Sequence, residues 1–185
     1  MSKKVAITGM GIISAIGNGV EENFLSLKNG RHGISEIEHF ETRHAGKIKT
    51  GEVKLSNADL LKMLKLSEDN AATRTALLGM VAAKEALESA GIKEINAYKT
   101  GLISSTSVGG MDVTEKYFYS YEEHPDKQKY IHSHDAGTSS LAIADFLGLQ
   151  GMVSTISTAC SSAANAIMMG AKLIKNGVLD RVIVG

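Results

Sequence analysis

The chain carries a single cysteine, set in Ser157-Thr158-Ala159-Cys160-Ser161-Ser162-Ala163. Small polar and branched residues alternate over 153–158 and predict a strand. Residues 161–175 predict a helix, stopped by Asn176-Gly177. A side chain on so tight a strand-to-helix turn projects out of the sheet. Its sulfur then lies at the N-terminal end of the helix, where the dipole and the N–H groups favour a thiolate, the nucleophilic form. The same N–H groups suit a developing oxyanion. The small neighbours Ala159, Ser161, Ser162 and Ala163 leave room for a substrate to approach. The competing account is a free cysteine buried as a small hydrophobe. Residue types and spacing leave both open.

Several elements must hold this turn. The helix behind it has Ala164, Ile167, Met168, Ala171 and Ile174 at three- and four-residue spacings, an apolar face suited to packing under a sheet. Met168 and Met169 read as core filler. Upstream, residues 5–8 form a short β-branched run ending at Gly9-Met10-Gly11 and predict a buried first strand. Residues 21–29 predict a helix with acidic residues at its start, Phe24, Leu25 and Leu27 inside, and Gly30 past its end. Lys62 and Lys65 fall on a Leu-rich turn in a polar stretch. Residues 73–90 predict a long Ala- and Leu-rich helix closed by Gly91. Residues 101–106 predict a strand ending at Gly109-Gly110, and 139–147 a helix ending at Gly148. Residues 181–184 open a further strand. Residues 111–135, with the lone Pro125, read as an irregular surface excursion. Strands alternating with helices imply an α/β layer with a largely parallel sheet. No Gly/Ser/Pro linker divides the chain, so residues 1–185 are expected to form one domain.

Composition narrows the function classes. Of 185 residues, 43% are apolar and 22% charged, and 20 basic residues balance 20 acidic ones. That balance argues against a broad basic surface for nucleic acid. One cysteine excludes an intramolecular disulfide framework and a cysteine-rich zinc site. No apolar stretch of about 18 residues exists, so no transmembrane helix is expected. The start, MSKKVAITG, lacks the apolar segment of a secretory signal. A cytoplasmic protein with a free thiol is expected.

The STACSSA segment and its helix resemble the nucleophile turn of the β-ketoacyl-acyl-carrier-protein synthases, condensing enzymes of the thiolase-like fold. Further segments agree in order and spacing: VAITGMGIISAIGN (5–18), RTALLGMVAAKEALESAGI (74–92), TGLISSTSVGGM (100–111) and DRVIVG (180–185). They resemble the family's opening strand and glycine turn, its long early helix, the strand and turn beside the acyl pocket, and the strand after the nucleophile helix. The resemblance covers nearly the whole chain. It implies the N-terminal half of a thiolase-like α/β fold: a mixed, largely parallel sheet with helices on both faces.

The resemblance also implies a chemistry, a decarboxylating Claisen condensation. Cys160 accepts an acyl group as a thioester from an acyl carrier protein. A malonyl group on a second carrier loses carbon dioxide and attacks that thioester. Thiolate serves because it is both a good nucleophile and a good leaving group. No metal, flavin or nicotinamide cofactor is implied. Val108 would line the acyl pocket, with Met111 a weaker candidate; turn packing explains Val108 as well. Lys62, Lys65 and Arg74 fall where the family docks its acidic carrier protein, although a solvated helix face accounts for them too. The segment 153–158 matches the family's dimer seam, implying a homodimer.

Departures from the family pattern bear on these expectations. The family is built of two similar halves, and its catalytic histidines lie in the second, in HGTGT-like and NHxFG-like settings. His32, His39, His44, His124, His132 and His134 match neither. A truncated or partial chain is therefore expected, inactive in condensation alone. Gly151-Met152 stands where the family often has Gly-Pro, and residues 130–137 lack a common Pro-containing pattern. A polyketide or polyene substrate is thus as consistent as a fatty-acid one. Rival readings are a non-catalytic chain-length partner, a coenzyme A-dependent thiolase, a cysteine protease, and a dinucleotide-binding domain. The last rests on Gly9-x-Gly11, but Ser14 occupies the third glycine position.

Overall fold

The computed structural model describes residues 4–185, with the backbone alone for residues 127–129, 131 and 132. Two compact units make up the chain. Unit 1 comprises Met1–Ile7, Ala71–Met80 and Ile92–Gly185, and unit 2 comprises Thr8–Asn70 and Val81–Gly91. The change from one unit to the other at residues 80–81 falls inside a continuous helix, Arg74–Ser89, which is why no linker composition marks it.

In unit 2, helix α1 spans Val20–Lys28 and helix α2 spans Asn57–Leu64. Helix α1 forms where the sequence predicts it but buries the opposite face. Phe24 is 61% exposed and Leu27 69%, whereas Asn23 and Ser26 are buried. The reason is the preceding loop, whose carbonyls need donors. The Asn23 amide donates to Gly17 O at 2.9 Å and Gly19 O at 2.8 Å, and the Ser26 hydroxyl donates to Ile16 O at 2.8 Å. Helix α2 starts with a reciprocal capping box. Asp59 N donates to Ser56 Oγ at 3.1 Å, and Ser56 N donates to Asp59 Oδ2 at 2.9 Å. It ends at Lys65, which is left-handed at φ 57°.

The long helix, α3 (Arg74–Ser89), confirms the predicted span to within one residue. Its C-terminal half belongs to unit 2 and explains the Gly9-x-Gly11 motif. A Cβ on Gly9 would lie 2.2 Å from Ala86 O, and one on Gly11 would lie 2.0 Å from Ala82 O. The glycines let the loop lie flat on α3. The next helix begins only at Val20, so the motif does not feed a phosphate-binding helix N-terminus.

Unit 1 holds the sheet. Strand β1 is Thr100–Ser105, helix α4 Met111–Tyr117, helix α5 Ala136–Phe146, strand β2 Val153–Ile156, helix α6 Ser162–Lys175 and strand β3 Arg181–Val184. The strands are all parallel, in the order β2-β1-β3. The predicted strand over 5–8 does not form. Its residues have no ladder partners, and Ile7 is 81% exposed. A β-branched run sets a backbone preference, but a strand exists only where a neighbour completes its hydrogen bonds. The region 111–135 is more regular than its composition indicates, holding α4 and a 3-10 segment, Pro125–His134. Helix α5 begins three residues earlier than predicted because Asp135 caps it, accepting from Gly137 N at 2.8 Å.

The register assigns the two faces. Ile103 and Ser104 point to opposite sides of β1, and they pair with Val184 and Thr155 respectively. Helix α5 lies on the Thr155 face, where Ser140 Oγ bonds Thr155 Oγ1 at 2.6 Å. Helix α6 lies on the Val184 face, where a Cβ on Gly170 would come within 2.7 Å of Val184 Cγ1 and 2.8 Å of Val182 Cγ1. Helices on both faces of a parallel sheet agree with the expected fold class. The packing surface of α6 differs from the one predicted. The stripe Ser162, Ala166 and Gly170 is buried, while Ile167 is 53%, Met168 51% and Met169 38% exposed. Small residues bring the helix close to the branched strand surface. The methionines are therefore not core filler.

Candidate active site

The connection from β1 to β2 runs over the α5 face, and that from β2 to β3 runs over the α6 face. The loops leaving the adjacent strands β1 and β2 thus diverge to opposite sides. The carboxyl ends of two such strands are the usual binding position in open α/β sheets. Ser105 and Ile156 form the last paired rung, and Thr106 N donates to Ile156 O at 3.4 Å. Val108 follows on one loop and Cys160 on the other.

Cys160 lies in a 3-10 turn, Ala159–Ser161, between β2 and α6, and it is exposed. In this structure the cysteine is not a buried hydrophobe. The residue before it, Ala159, has φ 51°. A non-glycine residue in the left-handed region costs on the order of 1–3 kcal/mol and persists only when its surroundings hold it. A polar network does so here. The Ser162 hydroxyl accepts from Thr158 N at 2.8 Å and donates to Ala159 O at 2.7 Å. The Ser161 hydroxyl reaches Thr158 O at 2.8 Å, and Asn165 Nδ2 donates to Thr158 Oγ1 at 2.8 Å. Sequence reasoning gave Thr158 and Asn165 no role and read Ser162 only as a small neighbour of the cysteine. Their signal was available: hydroxyl residues on both sides of the cysteine, and an amide one helical turn beyond Ser161.

The opposite loop is equally braced. Thr106 Oγ1 accepts from Gly109 N at 3.0 Å, and Thr75 Oγ1 donates to Gly109 O at 2.9 Å. Gly110 N donates to Ser133 O at 3.1 Å, and a Cβ on Gly110 would lie 2.4 Å from that oxygen. Val108 is 57% exposed on this loop, and Met111, 46% exposed, opens α4. The remaining predicted site residues are not gathered on one unit. Lys62 and Lys65 are exposed on unit 2, and Arg74 belongs to unit 1.

Among the described side chains, three histidines have local partners, and His44 Nε2 accepts from Arg43 Nε at 3.4 Å. His39 Nε2 lies 2.9 Å from Lys54 O, and the His124 ring meets Tyr117 edge-on at 5.7 Å. The side chain of His132 lies outside the described residues. Among the described residues no group of acidic, histidine or cysteine side chains is placed to hold a metal ion. No described helix is long and apolar enough to cross a membrane.

The family model for the beta-ketoacyl synthase N-terminal domain matches residues 2–185. The chain belongs to the beta-ketoacyl synthase family. It is 31% identical over 198 residues to 3-oxoacyl-[acyl-carrier-protein] synthase 2 of Vibrio cholerae, covering 100% of this chain and 46% of that protein. It is 30% identical over 191 residues to nodulation protein E of Rhizobium meliloti, again covering 100% of this chain and 46% of the relative. Among solved structures, the ishigamide ketosynthase/chain length factor superposes with a TM-score of 0.83 at 25% identity, over 96% of this chain and 45% of the other. A beta-ketoacyl synthase from Burkholderia phymatum superposes with a TM-score of 0.71 at 24% identity, over 96% and 44%, which supports the fold. This beta-ketoacyl synthase chain spans about half the length of the curated relatives it matches.

Proposed function

We propose that this protein is an acyltransferase of the condensing type, with Cys160 as the residue that accepts the acyl group. The observation that carries the reading is the exposed Cys160 on a braced turn at the carboxyl end of β2, inside a matched beta-ketoacyl synthase domain. In the first half-reaction the Cys160 sulfur attacks the thioester carbonyl of an acyl-loaded carrier. A new C–S bond forms, the carrier C–S bond breaks, and the departing carrier sulfur takes up the proton that Cys160 released. The Cys160 N–H stabilises the oxyanion between those events. Condensation then follows when a malonyl group on a second carrier loses carbon dioxide: the electron pair of the broken C–C bond forms a new C–C bond to the acyl carbonyl carbon, and the Cys160–acyl C–S bond breaks to return the Cys160 thiolate.

Acyl carrier protein is the proposed partner. Lys62 and Lys65, exposed on unit 2, are proposed to dock its acidic surface, and Val108 with Met111 to border the acyl chain. A homodimer through the segment 153–158 is also proposed. Its support is that β2 is an edge strand, with one side open to a further strand.

The test is an intact-protein mass spectrum of the full native polypeptide before and after incubation with acyl-loaded carrier protein. An acyl-sized increment that maps to Cys160 and disappears in Cys160→Ala is the expected result. An increment that persists in Cys160→Ala refutes the assignment.

A further inference from the structure

We infer that Ser162 is a positioning residue that orients the Cys160 amide toward the oxyanion, an inference that rests on the function proposed above. Ser162 is the first residue of α6 and is only 4% exposed. The N-cap position before it is Ser161, whose hydroxyl makes no capping bond to the helix. The Ser162 hydroxyl turns backward. It accepts from Thr158 N and donates to Ala159 O, three residues before it, so both its roles are spent on the turn that carries Cys160.

The consequence follows from peptide geometry. The Ala159–Cys160 peptide is trans, as are all those described. In a trans peptide the carbonyl and the following N–H point in opposite directions across one plane. Ser162 holds the Ala159 carbonyl twice, through its backbone N–H and through its buried hydroxyl, and so directs the Cys160 N–H the opposite way. Holding Thr158 N at the same time fixes the turn on both sides of Ala159, whose φ of 51° is otherwise disfavoured. Thus one serine sets the direction of the amide without touching the reacting atoms, and the sulfur itself is not its target.

The experiment compares wild type, Ser162→Ala and Ser162→Thr in the full native polypeptide. Acetyl-, butyryl- and octanoyl-loaded acyl carrier proteins are the probes, and acyl transfer to Cys160 is followed by intact mass. In Ser162→Ala the saturating transfer rate falls on the order of 10-fold or more, because an oxyanion donor is misdirected. The half-saturating carrier concentration and the rate of Cys160 alkylation by iodoacetamide stay within about two-fold of wild type. Ser162→Thr, which keeps the hydroxyl, restores transfer. A Ser162→Ala protein that transfers at the wild-type rate overturns the inference, as does one whose alkylation falls in the same proportion as its acyl transfer. The Cys160 amide resonance reads the peptide direction independently. It shifts in Ser162→Ala, and an unchanged resonance overturns the inference even if no carrier acylates the wild type, an outcome that would separately reject the proposed function.

Discussion

Ser105 and Ile156 stand opposite each other as the last rung between β1 and β2, and beyond them the chain diverges to opposite faces of the sheet. This pairing brings two distant sequence motifs, the turn with Val108 and the turn with Cys160, to one edge. Neither motif alone makes a site. Together they place an exposed thiol and an exposed branched side chain beyond the carboxyl ends of adjacent strands.

If Val108 borders the acyl chain, enlarging it restricts that chain. Val108→Phe is expected to shift acyl transfer toward shorter groups, read as the ratio of acetyl to octanoyl increments on Cys160. An unchanged ratio assigns Val108 to turn packing instead.

The α6 packing rests on the absence of a side chain at Gly170. Gly170→Ala places a methyl group within 2.7 Å of Val184 Cγ1 and 2.8 Å of Val182 Cγ1. Overpacking of this kind costs about 1–3 kcal/mol. A lower urea midpoint with an unchanged slope is expected, and an unchanged midpoint contradicts this contact.

Glu85 straps the glycine loop of unit 2 to α3. Its carboxylate accepts from Ile12 N at 2.9 Å and from Val20 N, the first residue of α1, at 2.8 Å. Glu85→Ala leaves two amides without this acceptor and is expected to cost about 1–3 kcal/mol. Glu85→Gln keeps one acceptor oxygen and falls between the two in chemical denaturation. Equal midpoints for Ala and Gln would show that the side-chain oxygens contribute nothing.

The capping box of α2 has a defined pH dependence. Hydrogen bonds from the Ser56 side chain and backbone lower the pKa of Asp59 below its ordinary value. A depressed folded pKa gives stabilisation that is present above the unfolded value and lost as pH falls through the folded one. Amide-exchange protection of Asn57–Leu64 in wild type should therefore exceed that in Asp59→Asn at neutral pH. The difference should vanish in acid. A difference that does not change with pH rejects the carboxylate as its source.

Local chemistry was legible from residue order. The strand, turn and helix around Cys160 follow from branched residues, small residues and a helical run stopped by Asn176-Gly177, and the structure places them within one or two residues of those limits. The start of α5 was missed because an Asp cap outweighed the apolar pattern used to place it. The inward faces of α1 and α6 were misread because periodicity counts apolar residues alone. In α1, Asn23 and Ser26 are buried to satisfy loop carbonyls, and in α6 small residues are buried to allow close approach.

The sequence by itself determined the cysteine's neighbours, the order of elements around it and the family to which the chain belongs, since these depend on residues close in the chain or on ordered motifs. Only the tertiary structure decided that residues 5–8 pair with no strand and that β2 lies at an edge. It alone showed that the Ser162 hydroxyl turns back onto Ala159 rather than into its own helix. Each of these depends on which backbone groups find partners across space, and hydrogen-bond satisfaction of that kind is a property of the folded chain as a whole.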